Sequence, residues 1–251
     1  MKTAIFISEE DYPIWKQTIF HLYPGIPILV FYLALGPILL ERGYTSLLAL
    51  LLAELLVLTP VELGHMYAVS KARWGGWSWK KLIPNTQKLS SKQYLKWSLL
   101  GIISCFIFYM PLYPVGLVLR DSVFGWLPGW FFNPFYGDVT AEAIKTTFIA
   151  GIIIDGVVGP VVEELYFRGY LLSRMEQLKK WAPILNGVLF GVYHFWQPHN
   201  YLATIAVGLV ISYVVWKKRN IYLGIIIHVF LNIFGNTASL MAFDSGEMIQ
   251  R

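Results

Sequence analysis

The chain has 251 residues, of which 56% are hydrophobic and only 14% charged, and its mean hydropathy is +0.55. A soluble globular domain carries roughly 25% charged residues, so this composition excludes an ordinary water-soluble protein and defines a polytopic membrane protein. The formal net charge of +5 does not point to nucleic acid, because the basic residues cluster at the ends of apolar runs, where they orient a membrane protein.

The chain opens on MKTAIFISEEDYPIWK, with acids where a secretory signal would have its apolar core, so the first apolar run is expected to stay in the mature protein. A bilayer core needs about 20 mostly apolar helical residues. Seven runs qualify: 24–40, 44–69, 94–119, 143–172, 182–197, 201–216 and 221–242. The fourth is too long for one span, and is expected either to continue beyond the lipid or to break near Gly159-Pro160. The expectation is a single integral membrane domain over residues 1–251: all-α, a polytopic membrane helix bundle of about seven transmembrane helices. Between the third and fourth runs, DSVFGWLPGWFFNPFYGD has the aromatic, Gly and Pro content of an interfacial loop at headgroup level. The single cysteine, Cys105, has no internal disulfide partner and an apolar setting, which reads as an inert packing thiol.

Flanking charges give the orientation. Lys71, Arg73, Lys80, Lys81, Lys88, Lys92 and Lys96 follow the second run, Arg174, Lys179 and Lys180 the fourth, and Lys217, Lys218 and Arg219 the sixth. These loops and the N-terminus are expected in the cytoplasm of a multi-pass protein of the cell membrane. The intervening connections carry Asp121, Asp138 and Glu142 or almost no charge, and the tail carries Asp244 and Glu247.

Within the fourth run, GPVVEELYFRGYLL places Glu163, Glu164 and Arg168 among apolar residues. Unpaired charges in lipid cost at least a few kcal/mol, so ionisable groups there default to function. Spans four and five form a hairpin that turns near Lys179-Lys180-Trp181. Glu163 precedes that turn by about as many residues as His194 follows it, so both reach similar depth on helical arms. His228 and Asn232, four apart on one face of the last span, lie within a few ångströms of the same level. Glu164 has Arg168 four residues on, the spacing of an ion pair, which leaves Glu163 for chemistry if the helix is unbroken; a distortion at Pro160 would exchange the two.

A carboxylate and an imidazole facing each other in an apolar cavity can hold and activate water, and His228 and Asn232 offer donors to an oxyanion. The same Glu163, His194 and His228 also form a two-histidine, one-glutamate zinc set with an open position. Both chemistries are hydrolytic.

EELYFRG at 163–169, FGVYH at 190–194 and HVFLN at 228–232 resemble the ordered motifs E-E-x-x-x-R, F-x-x-x-H and H-x-x-x-N of the CAAX protease and bacteriocin-processing family (CPBP, also called Abi). The resemblance covers a core at about 143–237. It implies an intramembrane endopeptidase that cleaves membrane-associated peptides or CAAX-type prenylated proteins, with membrane lipid and a peptide or lipid-modified protein as partners. By this resemblance Glu163 and His194 activate the water, and His228 and Asn232 form the oxyanion site. Glu164, Arg168 and Phe190 support them, and no cofactor is required, zinc being the alternative.

Glu62 and His65 in VELGH read as a structural Glu–His contact or cavity lining, since the second such pair that a di-metal bundle needs is missing. Glu54 and Asp155 read as bundle-interior hydrogen bonding or as lining of the catalytic cavity. His199 reads as a solvated interface residue, and Phe190 as packing against the catalytic helix. The rival classes are a transporter, in which intramembrane Glu and His mark a solute pathway, and an immunity or scaffold protein that binds without cleaving.

Overall fold

The computed structural model describes residues 11–133 and 136–245. The reading of residues 1–10 as something other than a signal, and the tail acid Glu247, lie outside the described residues. Helices α1 (Ile14–Leu22) and α2 (Gly25–Glu41) are separated by a turn at Tyr23-Pro24. Lys16, Gln17 and His21 interrupt the apolar run of α1, yet Gln17 and His21 are buried, each with a hydrogen-bond partner on the helices behind it. Gln17 Nε2 donates to Arg174 O at 2.8 Å, and His21 Nε2 lies 2.9 Å from Asn186 Nδ2.

Helix α3 (Ser46–Trp74) is capped by Thr45, whose hydroxyl accepts from Leu48 N. Helix α4 (Ser91–Ser122) starts in a reciprocal cap between Ser90 and Gln93. Helix α5 spans 141–174 and ends in a tighter turn. The C-terminal helices are α6 (Ala182–Tyr193), α7 (Tyr201–Lys218) and α8 (Ile221–Asp244).

The break near Gly159-Pro160, one of the two outcomes expected of the fourth run, does not occur. A proline inside a helix lacks an N–H and clashes with the carbonyl four residues back. In α5 a π turn over Ile154–Val158 widens the register just before Pro160, and the helix runs on. Helix α3 repeats the device, with a π turn over Glu54–Leu58 ahead of Pro60. Each wide turn carries an acid near its start, Glu54 and Asp155, and both acids face the bundle interior.

Among the described residues, five helical segments are long and apolar enough to cross a membrane: Ile14–Glu41, Ser46–Trp74, Ser91–Ser122, Pro198–Lys218 and Ile221–Asp244. A count of seven adds α5, which carries the buried charges, and α6. Twelve residues make α6 only about 18 Å long, short of a hydrocarbon core of roughly 30 Å. It sits inside the bundle against α7, where glycines admit the close approach: a Cβ on Gly187 would lie 2.6 Å from the Leu209 backbone nitrogen. The outer faces are apolar, with Leu95, Ile103, Ile107 and Met110 of α4 all more than half exposed, as lipid contact requires. The protein is an integral membrane helix bundle, and no strand forms among the described residues.

The three basic segments meet at one end. Gln87 N donates to Arg219 O and Ile221 N to Asn85 O, each at 2.8 Å. Arg174 Nη1 donates to Leu82 O at 3.1 Å, and Arg219 pairs with Glu176. At the opposite end Lys145 pairs with Asp244 at 3.1 Å. The aromatic loop lies there too, tied to α2 and α3 by Tyr32 Oη donating to Phe131 O and Ser46 Oγ to Trp130 O.

Candidate active site

Glu163 and Glu164 leave α5 in different directions, as helical neighbours about 100° apart must. Glu163 opens onto a cavity of ≈ 590 Å³, whose lining includes His194, His228 and Asn232. Glu164 turns into the packing between α5 and α8 and does not line it. Its Oε2 lies so close to Gly224 that a Cβ there has no room; this glycine lets the carboxylate reach the helix that carries His228.

Glu163 Oε1 accepts from Tyr193 Oη at 2.8 Å. His194, at the C-terminal cap of α6, has Nδ1 2.8 Å from the Phe190 carbonyl. A carbonyl only accepts, so Nδ1 carries the hydrogen and Nε2 presents a lone pair. That Nε2 lies 4.0 Å from Glu163 Oε1, while His228 Nε2 lies 3.7 Å from Glu163 Oε2. Both gaps are too long for direct hydrogen bonds and suit one bridging water. The depth argument from sequence thus corresponds to a meeting of side chains from α5, α6 and α8.

Glu164 Oε1 accepts from Arg168 Nη1 at 2.9 Å and lies 3.0 Å from His228 Nδ1. The ion pair expected from the spacing forms, with both side chains fully buried. The Arg168 guanidinium lies 3.8 Å from the centroid of the Phe190 ring, a desolvated cation–π contact, and its Nε donates to Ser212 Oγ at 3.3 Å. Ser212 donates to Asn186 Oδ1 at 2.7 Å, and Asn186 donates to the Phe167 carbonyl at 2.9 Å. A polar chain therefore runs from His21 in α1 through α6, α7 and α5 to His228 in α8. Phe190 also packs edge-on against Phe167 of α5 at 5.2 Å.

Asn232 lines the cavity one turn beyond His228, but its amide is engaged. Nδ2 donates to the Asp155 carbonyl at 2.9 Å and to Asp155 Oδ1 at 3.3 Å. Asn236 donates to Asp155 Oδ2 and to the Asn232 carbonyl. Glu54, Asp155 and Cys105 line the same cavity. Glu62 and His65 do not form the expected contact. His65 takes Tyr23 Oη at 2.9 Å and Tyr170 Oη at 3.3 Å, whereas Glu62 is fully buried with neither oxygen hydrogen-bonded. His199 is half-buried, edge-on to Phe132 at 4.7 Å.

Tyr193, Asn186, Ser212 and His21 were not singled out in the sequence. Asn186 and Ser212 are polar residues in otherwise apolar spans, the signal that identified the glutamates, but uncharged and therefore easily taken as packing. For zinc, the donors Glu163, His194 and His228 are of the right chemical type. Among the described residues, however, no group of three or more His, Cys, Asp or Glu side chains is arranged to hold a metal ion.

Fold and site together define a helical integral membrane protein with a buried glutamate–histidine centre. Residues 145–234 match the family model described as "Type II CAAX prenyl endopeptidase Rce1-like", which bears out the resemblance carried by the three motifs. The chain is also 31% identical over 83 residues to "UPF0177 protein YxdF" of Lactococcus lactis subsp. lactis (strain IL1403), covering 33% of this chain and 46% of that protein. It is 28% identical over 85 residues to "Putative membrane peptidase YdiL" of Bacillus subtilis (strain 168), covering 33% of this chain and 34% of that protein. The matches thus span less than half the length of these curated relatives. No solved structure matches.

Proposed function

We propose that the protein is an intramembrane endopeptidase that hydrolyses peptide bonds of membrane-associated peptides or lipid-modified proteins, CAAX-type prenylated chains among them. The observation that carries this reading is the convergence of Glu163, His194 and His228, from three helices, at 3.7–4.0 Å around one cavity. The Rce1-like match over residues 145–234 supports it.

In this mechanism a water sits between Glu163 and His194 Nε2. Glu163 takes its proton as the oxygen attacks the carbonyl carbon, and later delivers that proton to the leaving nitrogen as the C–N bond breaks. His228, when protonated, keeps one N–H on Glu164 and turns the other toward the developing oxyanion. Asn232 supplies the second donor by releasing its longer, 3.3 Å bond to Asp155 Oδ1. Tyr193 fixes the rotamer of Glu163. The positive-inside bias assigns the basic end of the bundle to the cytoplasm.

Comparative peptidomics of cells expressing the unaltered protein or Glu163→Gln tests the reading. Peptide ends that appear only with the unaltered protein are expected; identical peptide populations would reject it in favour of a transporter or scaffold.

A further inference from the structure

Among the described residues, the cavity lining holds two more acids besides Glu163, Glu54 of α3 and Asp155 of α5, and no lysine or arginine. Glu54 Oε2 packs against Gly159 of α5, one helical turn on from Asp155, so the two carboxyls share one part of the cavity. Asp155 is anchored on both oxygens by the amides of Asn232 and Asn236. Glu54 is 7% exposed, and its Oε2 is buried with no hydrogen-bond donor. Two adjacent carboxyls largely withdrawn from water need either a shared proton or a cation between them, and the cavity's two imidazoles, His194 and His228, are placed against Glu163.

We propose that Glu54 and Asp155 form a recognition subsite for a cationic group, the ammonium or guanidinium of a lysine or arginine side chain in the substrate peptide. The proposal rests on the protease reading and adds a substrate class to it. Asp155 precedes Glu163 by eight residues along α5, which is about 12 Å of helix. An extended peptide advances about 3.3 Å per residue, so the cationic residue belongs three or four positions from the scissile bond. An acidic side chain or free carboxylate at that position is disfavoured by the same pair.

The test uses the full chain purified in detergent with Glu163→Gln, which blocks turnover and removes the third acid. The probes are fluorescein-labelled, C-amidated apolar peptides carrying either one lysine or one norleucine, scanned through the sequence, and binding is read by anisotropy. Lysine is expected to bind at least about tenfold more tightly than norleucine at one or two adjacent positions, as a charge-assisted hydrogen bond allows. That advantage should fall to about one in Glu54→Gln and in Asp155→Asn. Equal or absent binding of the two probes at every position overturns the subsite and leaves a proton-sharing pair. So does a lysine advantage that survives both replacements. The lysine–norleucine comparison needs no acid variant, so it stands even where one fails to fold. Incubating the same peptides with the unaltered protein separates the two readings. Cleavage without lysine preference keeps the protease and sinks the subsite, while preferential binding without cleavage does the reverse.

Discussion

The imidazole of His228 is held by Glu164, at 3.0 Å through Nδ1, and not by Glu163, whose nearer oxygen is 3.7 Å from Nε2. One glutamate of the EE pair thus orients a histidine while its neighbour is left for solvent and substrate. The first role depends on Arg168, which shares the same Glu164 oxygen as His228.

Arg168→Ala is expected to lower the amount of folded protein. Removing one partner of a buried pair costs about 3–5 kcal/mol, because the remaining charge is stranded. Size-exclusion profiles and thermal melting in detergent measure the loss. The double change Glu164→Gln with Arg168→Met should recover part of it, since no charge is then left unpaired.

Glu163→Gln and His194→Ala should each reduce proteolysis by at least about 10²-fold, the scale of a lost acid–base group, with folded protein retained in the membrane. Equal expression of both variants and Arg168→Ala, with activity lost only in Arg168→Ala, would reverse the division of labour.

Tyr193→Phe removes the hydrogen bond on Glu163 Oε1. A single such bond is worth about 1 kcal/mol, so kcat should fall about fivefold, with KM and melting temperature little changed. A rise in KM alone would mean that Tyr193 binds substrate and does not position the base.

Protein dialysed against a strong chelator should still cleave its substrate and contain far less than one zinc per chain. Zinc binding is an equilibrium with deprotonated ligands. Stoichiometric zinc released by His228→Ala, with activity lost on stripping and regained on adding zinc, would replace the mechanism and keep the protease assignment.

Orientation is tested in a Cys105→Ala background with Lys88→Cys and Lys217→Cys. Both positions are exposed at the basic end of the bundle, unlike Asn220, which is buried as the cap of α8. An impermeant thiol reagent added outside intact cells should label neither.

The meeting of Glu163, His194 and His228 was legible because depth in a bundle follows from counting residues away from charged turns. The partner of Asn232 was not, since its amide reaches Asp155 only through the relative rotation of α5 and α8. The π turns escaped for a related reason: the register shifts before Pro60 and Pro160 leave composition and periodicity untouched. Helix α1 was missed because Lys16, Gln17 and His21 break its apolar run, although packing against α5 and α6 gives each of the buried two a hydrogen-bond partner. Tyr193 reads as one more aromatic in an apolar span, and only its hydroxyl's position distinguishes it.

The chemical groups are distributed along the chain in an order that matters during synthesis. Glu163 and Glu164 emerge first, His194 follows after a hairpin, and His228 and Asn232 arrive on α8. Until α8 inserts, Glu164 has no imidazole to hold, and one wall of the cavity is missing. On the proposed reading, a nascent chain cannot cut its neighbours in a crowded translocation site. On that same reading, the order of the helices alone keeps a half-made chain from acting.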